Sequence, residues 1–177
     1  MATALRMLSD EHKNILKVIG ALLKECDALK LGKEIDKDFF KRTIEFVRGY
    51  ADKFHHAKEE DILFVELCKD DVQMPCNPTQ QMLYEHDLGR GFIKELERSV
   101  GNKDRNKIIE NARGYAQLLQ EHISKEDDIL YPLADEALTE GVKKKILEKF
   151  KQVEKKLIKE RNKYLSFVRE LEKKSKH

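Results

Sequence analysis

Residues 108–133 carry apolar side chains at the spacing of one helix face, and a histidine and a glutamate stand in the same series. The apolar members are Ile108, Ala112, Tyr115, Leu119, Ile129 and Leu133. His122 and Glu126 occupy the steps between them, where further apolar residues are expected. Side chains four residues apart reach the same point beside a helix axis. Burying this pair unpartnered would cost roughly several kcal/mol, so we expect it either to bind a metal ion or to hydrogen-bond internally.

The pair belongs to an internal repeat. Residues 55–64 match residues 122–131 at the His, Lys, Glu, Asp, Ile, Leu and aromatic positions. This match indicates a duplicated helix pair. A further histidine precedes each copy on an apolar helix, at His12 and at His86. Four helices therefore each place a histidine on the core face, and two of them add a glutamate one turn later.

Histidine is uncommon in helical cores, and this chain places four of its six histidines there. Helix bundles build metal sites from inward-facing histidines and carboxylates on neighbouring helices. The sequence therefore predicts a metal centre made of His12, His55, Glu59, His86, His122 and Glu126. These ligand types suit iron, and they also admit zinc or manganese. The alternative is a plain structural bundle whose core histidines are satisfied by hydrogen bonds.

Helix start and stop signals divide the chain into helices. Gly32 follows the first apolar stretch, Asp36 is a suitable N-cap for the second, Pro78 opens the third, and Gly101 ends it. We therefore predict an all-α fold: an up-down-up-down antiparallel four-helix bundle with an additional C-terminal helix. Pro132 further predicts an irregular turn within the fourth helix.

The composition changes near the C-terminus. Residues 143–177 hold 14 Lys or Arg and five Glu, a net charge of +9, so the rest of the chain carries −7. Apolar residues still mark one helical face in this segment. We expect residues 1–140 to form the bundle and residues 141–177 to form a basic amphipathic helix, packed on the bundle or lying at an oligomer interface. A nucleic-acid or membrane-surface role is the third interpretation, and no recognition motif supports it.

The order of these residues resembles the hemerythrin-like (HHE cation-binding) domain over roughly residues 4–138. The strings that carry the resemblance are FHHAKEE at 54–60, HISKE at 122–126 and LYPL at 130–133. The resemblance implies a non-haem di-iron centre with carboxylate bridges and an oxo or hydroxo bridge. The implied ligands are His12 and His55 on one iron, His86 and His122 on the other, and Glu59 and Glu126 as the bridges.

One feature departs from the oxygen-carrying hemerythrins, which have a fifth histidine one turn from the histidine of the third helix. Met82 and Arg90 stand at those places here. His56 and Glu60 are the other candidates, but 3.6 residues per turn puts them about 100° from the core face. We therefore expect His56 to be a partly exposed residue that either lies just outside the ligands or faces solvent. Tyr115 is the aromatic residue expected to line a gas pocket.

The resemblance implies a protein that binds or reacts with O₂, peroxide or nitric oxide at the carboxylate-bridged site. The missing fifth histidine favours a peroxide- or nitric-oxide-handling oxidoreductase, although no catalytic residue stands out. The alternative is a non-catalytic protein that binds, stores or senses oxygen or iron. We expect the partner to be a small diatomic gas or peroxide, without nucleic acid.

No signal-peptide pattern and no run of 18 apolar residues occurs in the sequence. The three cysteines follow no zinc-binding or disulfide pattern. We therefore expect a cytoplasmic protein that does not bind membranes and exists as a monomer or homodimer.

Overall fold

The structure, a computed structural model, describes residues 3–174, and within that range it contains six helices and no strand. The helix boundaries are as follows: α1, Ala4–Lys30; α2, residues 37–67; α3, Thr79–Gly101; α4, residues 105–137; α5, Glu140–Lys156; and α6, Ile158–Lys174. The all-α bundle predicted from the sequence is confirmed.

Two of the predicted helix boundaries have the expected capping residues, Gly32 after α1 and Asp36 before α2. Asp36 accepts a hydrogen bond from the backbone N–H of Phe39 at 3.0 Å, and Asp104 caps α4 in the same way through Lys107. Gly32 follows α1 with a φ of 93°, a conformation that favours glycine. These caps fix where each helix begins or ends, and therefore at which level its side chains enter the core.

Two helices contain π-helical segments, in which i→i+5 hydrogen bonds put more residues into each turn than in an α-helix. In α2 these segments are Val47–His56 and Glu59–Leu63, and in α4 the segment is Glu126–Leu130. The segment in α4 ends two residues before Pro132, so the irregular turn predicted there is confirmed. Neither segment of α2 contains a proline, and neither was predicted.

The π-helical segment of α4 changes which side chains face the core. Ile129, predicted to be buried, is 49% exposed, while Leu130 and Tyr131 are buried. The prediction of Ile129 as a core residue was wrong because it extended a 3.6-residue period through a wider turn.

The apolar core lies in two layers along the bundle axis. One layer is built from the C-terminal part of α1, the first half of α2, the second half of α3 and most of α4. The other combines the start of α1, the end of α2, Met82, the end of α4 and α5. A layer of buried histidines and glutamates separates the two, at the level of His12 and His122.

The C-terminal segment was expected as one helix and forms two. The interruption is at Leu157, whose φ of −105° and ψ of 18° depart from helical values. Among the described residues, none between Phe150 and Phe167 is fully buried, so packing does not impose regular geometry there. Both α5 and α6 lie against α1 and α2. The contact is closest at Gly49, where the Tyr164 ring fills the space that a Cβ atom would need.

Candidate metal centre

The four core histidines, one from each of α1 to α4, meet as two pairs at the centre of the bundle. The Nε2 atoms of His12 and His55 lie 2.9 Å apart, and those of His86 and His122 lie 3.0 Å apart. All four side chains are buried. The pairing joins α1 with α2 and α3 with α4, in agreement with the duplication seen in the sequence.

Two buried carboxylates connect the histidine pairs. Glu126 Oε2 lies 3.2 Å from His12 Nε2, and its Oε1 lies 3.1 Å from His122 Nε2. Glu59 Oε2 lies 3.5 Å from His55 Nε2 and 3.6 Å from His86 Nε2. Both glutamates therefore reach both pairs, and the six residues predicted from the sequence form one cluster.

A second set of carboxylates holds the other ring nitrogen of each histidine. The Nδ1 contacts are His12 with Asp127 (3.1 Å), His55 with Glu11 (2.9 Å), His86 with Glu60 (2.7 Å) and His122 with Glu85 (2.8 Å). Because a carboxylate accepts hydrogen bonds, a neutral ring at each of these places carries its proton on Nδ1 and directs the Nε2 lone pair to the centre. Metal-binding histidines in proteins are oriented in this way.

The centre has the unsatisfied atoms that a cation would satisfy. Glu59 Oε2 and both carboxylate oxygens of Glu126 are buried and have no hydrogen-bond partner. In each pair, two neutral rings in this tautomer would direct their Nε2 lone pairs at each other. Buried polar atoms normally have partners, and a cation between these nitrogens and oxygens would supply one. The donor set, four imidazoles and two carboxylates, therefore fits metal ions well.

The pKa values of the two central carboxyl groups, Glu59 and Glu126, also favour a bound cation. Burial, and then the charge of Glu126, raises the pKa of Glu59 well above its usual range. Burial also disfavours the ionised form of Glu126. The opposing effect of His122 and His12 is larger, and it lowers the pKa of Glu126 well below the usual range. Two adjacent buried carboxylates cannot both ionise without a counter-charge, and a metal ion would allow both to do so.

The two halves of the site differ in how they are covered. In the first half, which contains His12 and His55, Lys58 pairs with Glu11. In the second half, which contains His86 and His122, Lys125 pairs with Glu85. Lys58 is 0% exposed and lies over the ring of Phe150 in α5 at 5.4 Å, whereas Lys125 is 37% exposed. The C-terminal helices therefore cover only the first half.

A phenol distinguishes the halves as well. Tyr131 donates a hydrogen bond to Glu59 Oε1 at 2.6 Å, and its oxygen lies 3.4 Å from His12 Nε2. Its counterpart in the repeat is Phe64, whose ring stacks on that of His86 and brings no hydroxyl. A proton donor therefore lies beside the His12–His55 pair.

His56 is buried, at 7% exposure, so the expectation of a partly exposed residue was wrong. Its ring lies parallel to that of His86, with ring centroids 3.8 Å apart. The π-helical segments of α2 widen its turns, so the 100° offset assumed for His56 and Glu60 does not hold. Burial, and then the charge of His86, lowers the pKa of His56 to about 4, so the ring is neutral at pH 7.

Arg90 binds Glu60, Asp52 and Asp87 and is not a ligand.

A cavity of about 110 Å³ adjoins the second half of the site. His56, His86 and His122 line its inner end, and Arg48 and Arg90 are among its other lining residues. Tyr115 also lines it, as expected, and its buried hydroxyl has no hydrogen-bond partner. The cavity gives small molecules an approach to the His86–His122 pair.

The outer carboxylates were not predicted, although the repeat contains a signal for them. Glu11 and Glu85 each directly precede a core histidine, and Lys58 and Lys125 occupy equivalent places in the two copies. Each glutamate binds a histidine of the next helix rather than its own neighbour, and this cross-helix pairing is set by the tertiary structure.

Comparison with known proteins agrees with this geometry. The family model described as Hemerythrin HHE cation binding domain matches residues 3–134. No significant match was found among curated proteins or among solved structures. Over residues 3–174, no helix is long and apolar enough to cross a membrane. The match covers most of the chain and all the clustered histidines and glutamates, and the chain therefore belongs to the hemerythrin HHE cation-binding domain family.

Proposed function

We propose that the protein binds two iron ions in the core of the bundle and uses them to bind or react with O₂, peroxide or nitric oxide. The observation that supports this most strongly is the position of Glu126, whose two oxygens each lie within 3.2 Å of a histidine from a different pair. A carboxylate so placed can bridge two ions.

In this proposal His12 and His55 would hold one ion, His86 and His122 would hold the other, and Glu59 and Glu126 would be shared between them. When bound, two iron ions supply redox chemistry toward small oxygen and nitrogen species. The outer carboxylates keep each imidazole in the tautomer that binds metal. The pairs of Lys58 with Glu11 and of Lys125 with Glu85 fix two of those carboxylates in place.

The size of the cavity supports a small reactant. About 110 Å³ is well below the roughly 300–1,000 Å³ of pockets for drug-sized ligands. Space of this size suits a diatomic gas or peroxide. Tyr115 lines the cavity, and the phenol of Tyr131 lies at the opposite half of the centre.

The test is an anaerobic titration of the iron-loaded protein with O₂, peroxide or nitric oxide, followed by optical spectroscopy and repeated additions. We expect rapid spectral changes with at least one of the three reactants. Repeated turnover would identify an enzyme, and a single stoichiometric change that reverses on removal of the reactant would identify a carrier or sensor. Iron that is bound but inert to all three reactants would contradict the proposal.

A further inference from the structure

A second group of potential metal ligands lies on α2, beside the cavity. Asp52, His56 and Glu60 follow one another at four-residue spacing, and one ligand atom of each lies within 4.8 Å of the others. Asp52 and His56 also line the cavity that adjoins His86 and His122. Carboxylates and imidazoles are common ligands of divalent transition-metal ions. This group therefore has the ligand types for one ion at the side of the approach to the centre.

The buried nitrogen of His56 is the strongest sign that the group binds a cation. The His56 side chain is buried, and its Nδ1 atom has no hydrogen-bond partner. Asp52 Oδ1 lies 3.6 Å from this Nδ1, which is too far for a hydrogen bond. Two atoms that share a metal ion, each about 2.1 Å from it, lie roughly 3.0–3.4 Å apart. The separation of Nδ1 and Oδ1 is therefore close to what a shared ion requires.

The guanidinium of Arg90 already provides a positive charge to the two carboxylates of this group. Its Nη2 atom lies 2.7 Å from Asp52 Oδ1 and 2.6 Å from Glu60 Oε1. Arg90 is 38% exposed and also pairs with Asp87, an exposed residue outside the group. Its long side chain can therefore leave Asp52 and Glu60 while it keeps Asp87, and a divalent ion can take its place. Competition with Arg90 makes the binding of such an ion weak and reversible.

The sequence repeat shows that the bundle itself does not require this group. The residues equivalent to Asp52 and His56 in the other copy are Leu119 and Ile123, which are buried and apolar. The third equivalent, Asp127, contacts Nδ1 of a core histidine, as its counterpart on α2 also does. The other copy thus keeps the orienting carboxylate without the two additional ligands.

We propose that Asp52, His56 and Glu60 form a third, weaker cation site, at which ferrous iron enters the centre. This inference rests on the proposed di-iron function. Arg90 neutralises the site between loading events, and an incoming ion displaces it. Because a carboxylate has two oxygens, Glu60 can hold the ion and still accept the hydrogen bond from His86. The ion then moves inward along the cavity, which stays open to the reactant afterwards.

The test uses protein whose centre is already filled with ferric iron, so that added Mn²⁺ reports on further sites. Free Mn²⁺ is counted by its sharp EPR signal, which is lost on binding. Asp52→Asn removes a charged ligand, His56→Phe keeps the stacked ring without its nitrogens, and Arg90→Gln removes the competing cation. The matched control is Asp87→Asn, which removes another partner of Arg90 but no proposed ligand. The rate of ferrous iron uptake by the metal-free proteins is measured in parallel.

We expect the parent and Asp87→Asn to bind about one Mn²⁺ per chain. The affinity for Mn²⁺ should fall by roughly tenfold or more in Asp52→Asn and His56→Phe, because each loses one of three ligands. It should rise in Arg90→Gln, because the competing positive charge is gone. Asp52→Asn and His56→Phe should also take up iron more slowly than the parent, and should still reach two ions per chain.

Three results would overturn the inference and leave the di-iron proposal intact. They are a parent that holds two iron ions but binds no Mn²⁺, an unchanged Mn²⁺ affinity in both ligand variants, and an unchanged rate of iron uptake in both. A parent that binds no pair of iron ions would overturn the proposed function and this inference together.

Discussion

At the scale of single residues, the centre contains carboxylates of two kinds, and they differ in what they touch. Glu59 and Glu126 contact Nε2 atoms, where a metal ion would bind. Glu60 contacts the Nδ1 atom of His86, on the side of the ring away from the centre. The first kind should therefore act as ligands, and the second should orient a ligand.

Alanine substitutions should separate these two roles. Glu59→Ala or Glu126→Ala should reduce bound iron to about one ion per chain or less, because each removes a group that contacts both histidine pairs. Glu60→Ala should still bind two ions, with affinity weakened by roughly 10- to 100-fold. Iron analysis after equilibration at a fixed free-iron concentration checks this. Equal losses in all three variants would show that the bridging assignment is wrong.

Tyr131→Phe tests the phenol beside Glu59. Loss of its 2.6 Å hydrogen bond leaves a buried carboxyl oxygen without a donor, so the free energy of unfolding should fall by about 1 kcal/mol. Tyr50→Phe is a suitable control, since that buried phenol accepts a hydrogen bond from Asn14 rather than donating one to a central carboxylate. Urea unfolding should show similar losses in both variants.

Only Tyr131→Phe should also change the optical spectrum of the iron-loaded protein. An unchanged spectrum in Tyr131→Phe would mean that its hydroxyl does not influence the centre.

At the scale of helices, the sequence predicted well wherever the backbone keeps the α-helical period. The series through Leu119, His122 and Glu126 holds because Arg105–Lys125 is regular α-helix. The same series does not predict the exposure of Ile129 correctly, because Ile129 lies inside the π-helical segment that begins at Glu126. A proline signals that segment, but no residue signals the segments of α2, which bring His56 inward. Segments of that kind depend on tertiary packing, and a periodicity argument cannot detect them.

The two C-terminal helices have separable effects, which a matched pair of substitutions tests. Phe150→Ala in α5 and Phe167→Ala in α6 each remove a buried ring and should each destabilise the protein by about 3–5 kcal/mol. Phe150 also covers Lys58, which pairs with the carboxylate that holds His55. Phe150→Ala alone should therefore weaken iron binding, by several-fold.

Unfolding experiments on the metal-free proteins and iron titrations below the unfolding transition measure the two effects separately. Equal weakening of iron binding by Phe167→Ala would show that α5 has no particular role at the centre.

At the scale of the whole molecule, the duplicated sequence builds a centre with two similar halves, and the rest of the chain makes the halves unequal. Ion pairs such as Arg42 with Glu170 and Lys163 with Glu45 join α6 to the bundle. Exposed pairs of this kind contribute little, so the buried rings of α5 and α6 supply most of the docking free energy. The duplication was visible in the sequence, but the covering of one half depends on where α5 packs.

Mössbauer spectroscopy of the fully loaded, oxidised protein tests directly whether two ions share the same carboxylates. We predict about two iron ions per chain in one antiferromagnetically coupled ferric pair without net spin at low temperature. Glu126 lies close to both His12 and His122, so it would be shared by the two ions, and this shared ligand is the reason to expect coupling. One iron per chain, or two magnetically isolated ferric ions, would contradict the account.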